Sequence, residues 1–359
     1  MMTTAAPALD QARADAFLST VLEHTSATTT TVLAAIGDRL GLFADLAEHG
    51  PATPAELAGR AAIDPRYARE WLSALASAGY LEYAPEDGRY ALPPEHVAVL
   101  AEERGPHFFG GVHQMLVGMV KPIDLLVEAF RSGGGVPQSA YDEDIWAGMD
   151  RFTASWFDHL LLQAWIPGMP RVRALLEAGA EVADVGCGRG RALIRLAQAF
   201  PRSRFVGFDV FAPSVERARA FAAEAGVADR VRFEVHDGAA GLPGRYDVIT
   251  TFDVVHDAVD PRGLLRAIRR AVREDGVYVC LDVNCSHRVE ENAGPLGSLL
   301  YGFSILYCMT TSLAGAGEGL GTCGFSETVV RDLCAAAGFR GVRLVPLENP
   351  FNNLYEITP

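Results

Sequence analysis

The chain has 359 residues, 45 acidic against 31 basic, and a formal net charge of −14. Its length suits about two domains, and 49% hydrophobic with 21% charged residues excludes a mostly disordered chain. The acidity argues against a nucleic-acid coat protein or a membrane-surface binder.

A chain of this size buries its core without disulfides. Its six cysteines all lie in the second half and contain no C-x-x-C pair, so a zinc ribbon or thioredoxin-like motif has no support. Residues 1–13 lack a basic stretch followed by an apolar core, so no secretory signal is expected. Scattered thiols without an export signal point to the cytoplasm.

In chain order, a first helix is expected over about 30–48. Thr53-Pro54-Ala55-Glu56 is a capping box with proline at the first helical position, and it opens a short helix to Ala62. Asp64-Pro65 opens another, with Tyr67, Trp71, Leu75 and Ala78 at helical spacing and Gly79 as its stop. Residues 80–83 and 89–92 flank the turn Pro85-Glu86-Asp87-Gly88 as a hairpin. Helix, turn, helix and two-stranded wing make a winged-helix pattern. Winged helices often bind DNA, but residues 1–105 carry 15 acids against 7 arginines, a net charge of −8. The second helix offers Arg66 and Arg69 beside Asp64 and Glu70, a poor supply of phosphate partners. A homodimer through this domain, and no nucleic acid, is the expectation.

Residues 107–180 read as mostly helical, broken at Ser132-Gly133-Gly134-Gly135-Val136-Pro137. The aromatic-rich stretch 145–166 reads as a buried connecting helix for most of its side chains, with roofing a ligand pocket as the sharper alternative. From Ala180 strands and helices alternate, which implies a parallel sheet with helices on both faces. Strands are expected at 181–185, 204–208, 231–236, 246–252, 277–283, 341–347 and 353–357. Helices are expected at 190–199, 213–226, 261–273 and 326–337. The domain boundary falls between 165 and 180: residues 1–170 form the helical, winged-helix and lid region, and 171–359 the α/β domain. Between Glu291 and Glu318 there is no formal charge, a run long enough for a membrane span. It is interrupted by glycines and Pro295, and it sits inside the α/β pattern. A buried or ligand-facing helix is expected, with no membrane.

Asp184-Val185-Gly186-Cys187-Gly188-Arg189-Gly190 ends the first of these strands and opens a helix. Glycines let the backbone turn sharply and approach a ligand. Asp209 follows 19 residues beyond Gly190, at the end of the next strand, where a carboxylate can accept both ribose hydroxyls. Asp237-Gly238 ends the third strand, where an acid can accept from an adenine amino group. An acid before the glycines suits a ligand with a cationic amino-acid tail better than a pyrophosphate.

These motifs, with Ala337-Gly338-Phe339 before the last hairpin, resemble the class I S-adenosylmethionine-dependent methyltransferases. The winged-helix front and Val254-Val255-His256-Asp257 resemble the small-molecule O-methyltransferases, which carry L-H-D-W after the fourth strand; here Ala258 replaces the usual Trp. Gly319-Leu320-Gly321-Thr322 and the segment 349–355 resemble an actinobacterial branch of that group. The resemblance covers about residues 25 to 357. It implies a Rossmann-like, seven-stranded α/β domain that binds S-adenosyl-L-methionine. It places Asp184 and Gly186 to Gly190, with Cys187 and Gly188 between, around the methionine part, Asp209 at the ribose, and Asp237 and Gly238 at the adenine. Phe252 and Asp253 line the cofactor.

The resemblance also makes His256 the general base for transfer to a hydroxyl of a natural product. Asp282, ending the fifth strand, is placed to orient the imidazole. His256 has a plainer alternative role as a cap for the helix near Pro261. His113, Trp156, Tyr301, Phe303 and Asn353 remain candidates for touching a small-molecule substrate, each with packing as its plainer role. No metal is expected. Some relatives methylate carbon of α-keto acids through a metal held by two histidines, one at the His256 position; this chain has Tyr307 and Cys308 where the second would stand. A non-catalytic ligand-binding regulator with the same fold is the rival outside enzymology.

Overall fold

The computed structural model describes residues 9–347 and 349–359. Contacts divide the chain into two compact units, one running to Val117 and the other from Gly118 to Pro359.

The first unit opens with the helix Gln11–Arg39, started by the Asp10 side chain accepting from the Arg13 N–H. It begins well before residue 30. Residues 11–29 are almost wholly exposed, so no buried stripe marks them as helical. The expected single helix is also cut: Gly41, at φ 69°, separates off Leu42–His49. The capping box forms as read, and Pro54–Ala61 follows it. In Pro65–Ser77 the buried face is Ala68, Trp71, Leu72 and Leu75. Tyr67 is 78% exposed, so the stripe is rotated from the one the sequence predicts. Trp71 locks this face, packing on Phe43 at 5.2 Å and donating to the Leu33 carbonyl at 2.9 Å. Strands β1 (Glu82–Ala84) and β2 (Arg89–Ala91) form the wing.

The second unit carries seven strands: β3 (Glu181–Val185), β4 (Arg204–Asp209), β5 (Val231–Val235), β6 (Tyr246–Phe252), β7 (Val272–Val283), β8 (Gly341–Val345) and β9 (Asn352–Thr358). Their order is β5-β4-β3-β6-β7-β9-β8, with β9 antiparallel to both neighbours and the rest parallel. Successive side chains point to opposite faces. Val182, Val248, Val279 and Leu354 therefore enter one core, and Ala183, Ile249, Cys280 and Tyr355 enter the other. Both faces are dry because helices cover both, and each fully buried Val or Leu contributes about 1.5–3 kcal/mol. The strand order reverses between β3 and β6, and ligands bind at the carboxyl ends of strands beside such a reversal. Strand β7 starts earlier than 277. Val272 pairs with Tyr246, and after a register shift Val277 pairs with Val248. The intervening Arg-Glu-Asp-Gly bulges out of the ladder, so the helix expected to 273 ends at Ala271 and the strand begins at Val272.

Residues 118–178 are helical, but by contacts they belong with the sheet. The change of pattern near 180 marks where the strands of the large sheet begin; the contact division marks where packing changes. Pro295–Ala314 is the one helix among the described residues long and apolar enough to cross a membrane. Its polar groups are taken up inside the unit. Thr310 accepts from the Val136 N–H at 2.9 Å, Ser312 donates to the Ala258 carbonyl at 2.9 Å, and Ser304 accepts from the Thr322 N–H at 3.2 Å. Its middle, Ser304–Cys308, widens into a π turn that buries Tyr307 and Cys308. Such turns are frequent at functional sites.

Candidate active site

Beyond β3 the chain reverses through the glycine turn. The Gly186 and Cys187 N–H groups both donate to the Phe208 carbonyl, at 2.8 and 3.0 Å. Gly186, Gly188 and Gly190 have φ of 71°, 52° and 76°, the left-handed region that favours glycine. They differ in surroundings. A Cβ on Gly186 would lie 2.5 Å from Val254, and one on Gly190 2.4 Å from Phe233, whereas one on Gly188 would meet nothing within 4 Å. Gly186 and Gly190 let the protein pack on itself; Gly188 leaves room beside its backbone.

The acids stand around this turn. Asp184 is buried and accepts from the Thr250 hydroxyl at 2.6 Å. Burial pushes its carboxyl up to about 7, against the pull of that hydrogen bond, and no cation among the described residues offsets it. Asp209 accepts from the Gly188 N–H and the Phe211 N–H, both at 2.8 Å, and so ties the turns after β3 and β4 together. Burial raises its carboxyl despite these bonds. Asp237 accepts from the Ala239 N–H at 2.9 Å and caps the turn Gly238–Ala240. Cys187 is buried among these groups, and burial holds its thiol well above the ordinary range. A buried carboxyl lacking a cation, and a glycine open on its Cβ side, fit a ligand with an ammonium group and a bulky body.

The helix Glu143–His159 is held on the neighbouring helix Arg191–Ala199. Asp150 takes both Arg191 donors at 2.7 and 2.8 Å, Asp158 pairs with Arg195, and Glu143 with Arg189. Trp146 on this helix stacks on Phe211 at 4.3 Å, just past Asp209. Phe211 carries no motif, and their contact joins residues 65 apart.

His256 lies beyond β6, buried. Its Nδ1 is 2.7 Å from Asp282 Oδ1 at the end of β7. Asp282 is fully buried and also accepts from the Val283 N–H at 2.8 Å, which fixes its orientation. Burial works to lower the His256 pKa, but the Asp282 carboxylate prevails and holds it well above the ordinary value. His256 does not cap the helix Pro261–Ala271; the Asp260 side chain does, accepting from Gly263. Asp253, at φ 54°, accepts from Asn352 Nδ2 at 2.6 Å. Burial and the nearby Asp282 push its carboxyl up. Burial likewise raises Asp257 to about 6. Ligand atoms of His256, Asp257 and Cys308 lie within 4.8 Å of one another, as do those of Asp253, His256 and Asp282.

The other candidates scatter. Phe252 is half-buried and packs on Phe157 at 5.4 Å and Trp165 at 6.0 Å. Trp156 meets Phe152 at 4.7 Å and Phe351 at 6.2 Å, an aromatic group leading into β9. Tyr301 accepts from Asn292 at 3.1 Å, and Phe303 is half-buried. Asn353 bonds Asn284 at 3.2 Å, while its neighbour Asn352 reaches Asp253. His113 lies in the first unit, edge-on to Phe109 at 5.9 Å. Cys308 and Tyr307 stand by the histidine through the π turn, a placement that spacing along the chain does not reveal.

Residues 176–301 match the family model of a methyltransferase domain, and residues 28–102 match the Rv2258c-like winged HTH domain. A ubiquinone biosynthesis O-methyltransferase of Klebsiella pneumoniae subsp. pneumoniae is 33% identical over 107 residues, 30% of this chain and 43% of that protein. Polyketide synthase ThaQ of Burkholderia thailandensis is 29% identical over 111 residues, 31% of this chain and 5% of that protein. The chain thus spans less than half the length of these curated relatives. Among solved structures, the mitomycin 7-O-methyltransferase MmcR has a TM-score of 0.72 at 20% identity, covering 97% of this chain and 99% of that one. CalO1, a methyltransferase in calicheamicin biosynthesis solved in its SAH-bound form, has a TM-score of 0.67 at 20% identity, covering 98% and 100%. Human N-acetylserotonin methyltransferase in complex with SAM has a TM-score of 0.67 at 18% identity, covering 99% of each chain. All three share this fold.

Proposed function

Starting from a chain that carries a methyltransferase domain of the S-adenosylmethionine-dependent type behind a winged-helix domain, we propose methyl transfer to a hydroxyl oxygen of a small molecule, with His256 as base. The observation that carries this is the buried His256–Asp282 pair, 2.7 Å apart at the ends of β6 and β7. It lies beside the reversal of strand order where the glycine turn stands. The acceptor class we favour is a natural-product alcohol or phenol, in keeping with the mitomycin and calicheamicin enzymes of the same fold.

When bound, the cofactor supplies a methyl group already activated on a sulfonium. The rest falls to this chain. Asp184 gives its carboxylate to the ammonium, Asp209 accepts from the ribose hydroxyls, and Asp237 and Gly238 meet the adenine. Asp282 fixes the imidazole through Nδ1; Nε2 takes the acceptor's proton once the acceptor displaces the Cys308 side chain, which also hydrogen-bonds the ring. Phe152, Trp156 and Phe351, which pack on one another at 4.7 to 6.2 Å, are the aromatic group we assign to cover the acceptor. His256→Ala is expected to retain cofactor binding by calorimetry while turnover falls about 100-fold or more. Unchanged turnover removes the base; no cofactor binding by the native chain removes the whole proposal. A chain that binds cofactor but methylates nothing across a panel of phenols and alcohols is the regulator instead.

We place this activity in the cytoplasm, in keeping with the buried free thiols Cys187, Cys280, Cys308 and Cys334. A second copy of the chain is the proposed partner of the first unit. Phe17, Leu18 and Leu22 on the helix Gln11–Arg39 are all more than 60% exposed, an apolar face that asks for cover. Light scattering should give twice the chain mass, and Phe17→Asp with Leu22→Asp should halve it; a monomeric native chain ends this proposal.

One observation favours a second reading. His256, Asp257 and Cys308 offer nitrogen, oxygen and sulfur ligands, and Asp282 stands behind the histidine as carboxylates do behind metal-bound imidazoles. That set suits a divalent cation and the metal-dependent methylation of an α-keto acid carbon. Activity lost to a chelator and restored by zinc or iron selects it over the base.

A further inference from the structure

Four of the six cysteines are buried; Cys285 and Cys323 are half-exposed. They stand 38 residues apart in sequence and together in space. Cys285 follows β7, three residues beyond Asp282. Its sulfur lies 3.8 Å from the Thr322 carbonyl oxygen. It is also within hydrogen-bonding reach of the Phe325 N–H and of the Cys323 thiol. One sulfur thus nests in the turn Thr322–Phe325 against the other. This turn is tied to the histidine pocket, because the Gly321 N–H donates to the His256 carbonyl at 3.0 Å.

We propose that Cys285 and Cys323 are a redox-active dithiol that closes to a disulfide and ties the exit of β7 to the turn behind His256. The two sulfurs are not equivalent. Cys285 Sγ is engaged by the Thr322 carbonyl at 3.8 Å, whereas Cys323 lies on the half-exposed turn itself; the hydrogen bond between the thiols also lowers the pKa of Cys323 and raises that of Cys285. Cys323 is therefore assigned as the attacking thiolate. The oxidant is a low-molecular-weight disulfide. Cys323 attacks one of its sulfurs and expels one small thiolate. Cys285 then attacks the Cys323 sulfur of the mixed disulfide, its proton passing to the second departing thiolate. Two protein thiols and one small disulfide become one protein disulfide and two small thiols. The link closes the loop that contains Pro295–Ala314, the segment that carries Tyr307 and Cys308 to the pocket. Oxidation would fix that wall against the strand that bears Asp282.

The test treats the full-length protein with glutathione disulfide, blocks remaining thiols with an alkylating agent and maps peptides by mass. The expected result is one linked pair, Cys285 with Cys323, two hydrogens lighter than the reduced pair and reopened by dithiothreitol. Cys285→Ser should trap Cys323 as a lasting glutathione adduct. Cys323→Ser should leave Cys285 reacting at least about tenfold more slowly. Independent adducts on both cysteines of the native chain, a link through any other cysteine, or no modification at concentrations that modify an unstructured cysteine peptide would each overturn the proposal.

Discussion

The glycine turn after β3 and the histidine pocket after β6 share one edge of the sheet but are assembled differently. Around the turn, Asp209 is held by two backbone N–H groups, and Gly186 and Cys187 by a backbone carbonyl. The turn and the carboxylate that ties it come from residues 186–211, a short stretch held mostly by main chain, with Asp184 held from outside it by the Thr250 hydroxyl. Around the histidine, the holding groups are side chains: Asp282 on His256, Asn352 on Asp253, with Cys308 close by. These come from four separated places. A backbone-held site depends on conformations few residues adopt; a side-chain-held site depends on the identity of each partner.

Substitutions can sharpen or break this contrast. The largest effect belongs to Asp282→Asn, which keeps the shape and removes the charge. We expect kcat/KM to fall by about 100-fold or more. The pH profile carries the sign. The carboxylate holds the His256 pKa above its usual value, so the basic form of the native enzyme appears only as pH rises past that range. Without the carboxylate, only Cys308 still raises the ring's pKa against burial, and the ascending limb should move to lower pH. An unmoved limb assigns it to another group.

Next comes Asp184→Asn. Its folded pKa of about 7 lies above the usual carboxyl value. The folded state therefore binds more protons than the unfolded one between those values, and stability falls as pH rises toward 7. Above that, the buried charge costs the cofactor-free protein on the order of a few kcal/mol. Asp184→Asn should raise the Tm of the free protein at pH 8 and weaken cofactor binding about tenfold or more. A lower Tm would mean that the carboxylate has a cationic partner within the protein.

A smaller effect separates two glycines. Both Gly186→Ala and Gly188→Ala force alanine into the left-handed region, at about 1–2 kcal/mol each. Gly186→Ala adds a clash with Val254 at 2.5 Å and should unfold at clearly lower denaturant than Gly188→Ala. Equal midpoints would show that Val254 yields freely. The smallest effect is Asn352→Ala, which removes one bond to Asp253 and should change kcat less than tenfold, with Tm down by a few degrees.

The same contrast explains what could be read in the sequence. The five inner strands were legible because each buries both faces as a short apolar run; the edge strands β5 and β8 leave residues exposed and were legible from their place in the strand–helix alternation. The glycine turn was legible because φ above zero restricts residue choice at fixed spacing. His256 was legible only through the resemblance carried by Val254-Val255-His256-Asp257, and Asp282 because it ends the next strand of the same sheet. Trp146 with Phe211 and Asn352 with Asp253 were not, since each contact joins distant segments and neither residue type is restricted locally. Asn352 and Asn353 differ only in which face of β9 they occupy, a matter of register that the sequence leaves open. Residues 11–29 were missed for the opposite reason: a helix exposed all round carries no stripe.

The position of β9 bears on the order in which the protein is built. Strands β3 and β4 pair across 23 residues, whereas Asp282 on β7 is matched with Asn353 on β9, 71 residues later. Long loops close slowly and domains form as they leave the ribosome. The glycine-turn side of the sheet can thus assemble from neighbours while synthesis continues. The histidine side has no complete sheet until β9 arrives between β7 and β8, bringing Asn352 to Asp253 as it docks.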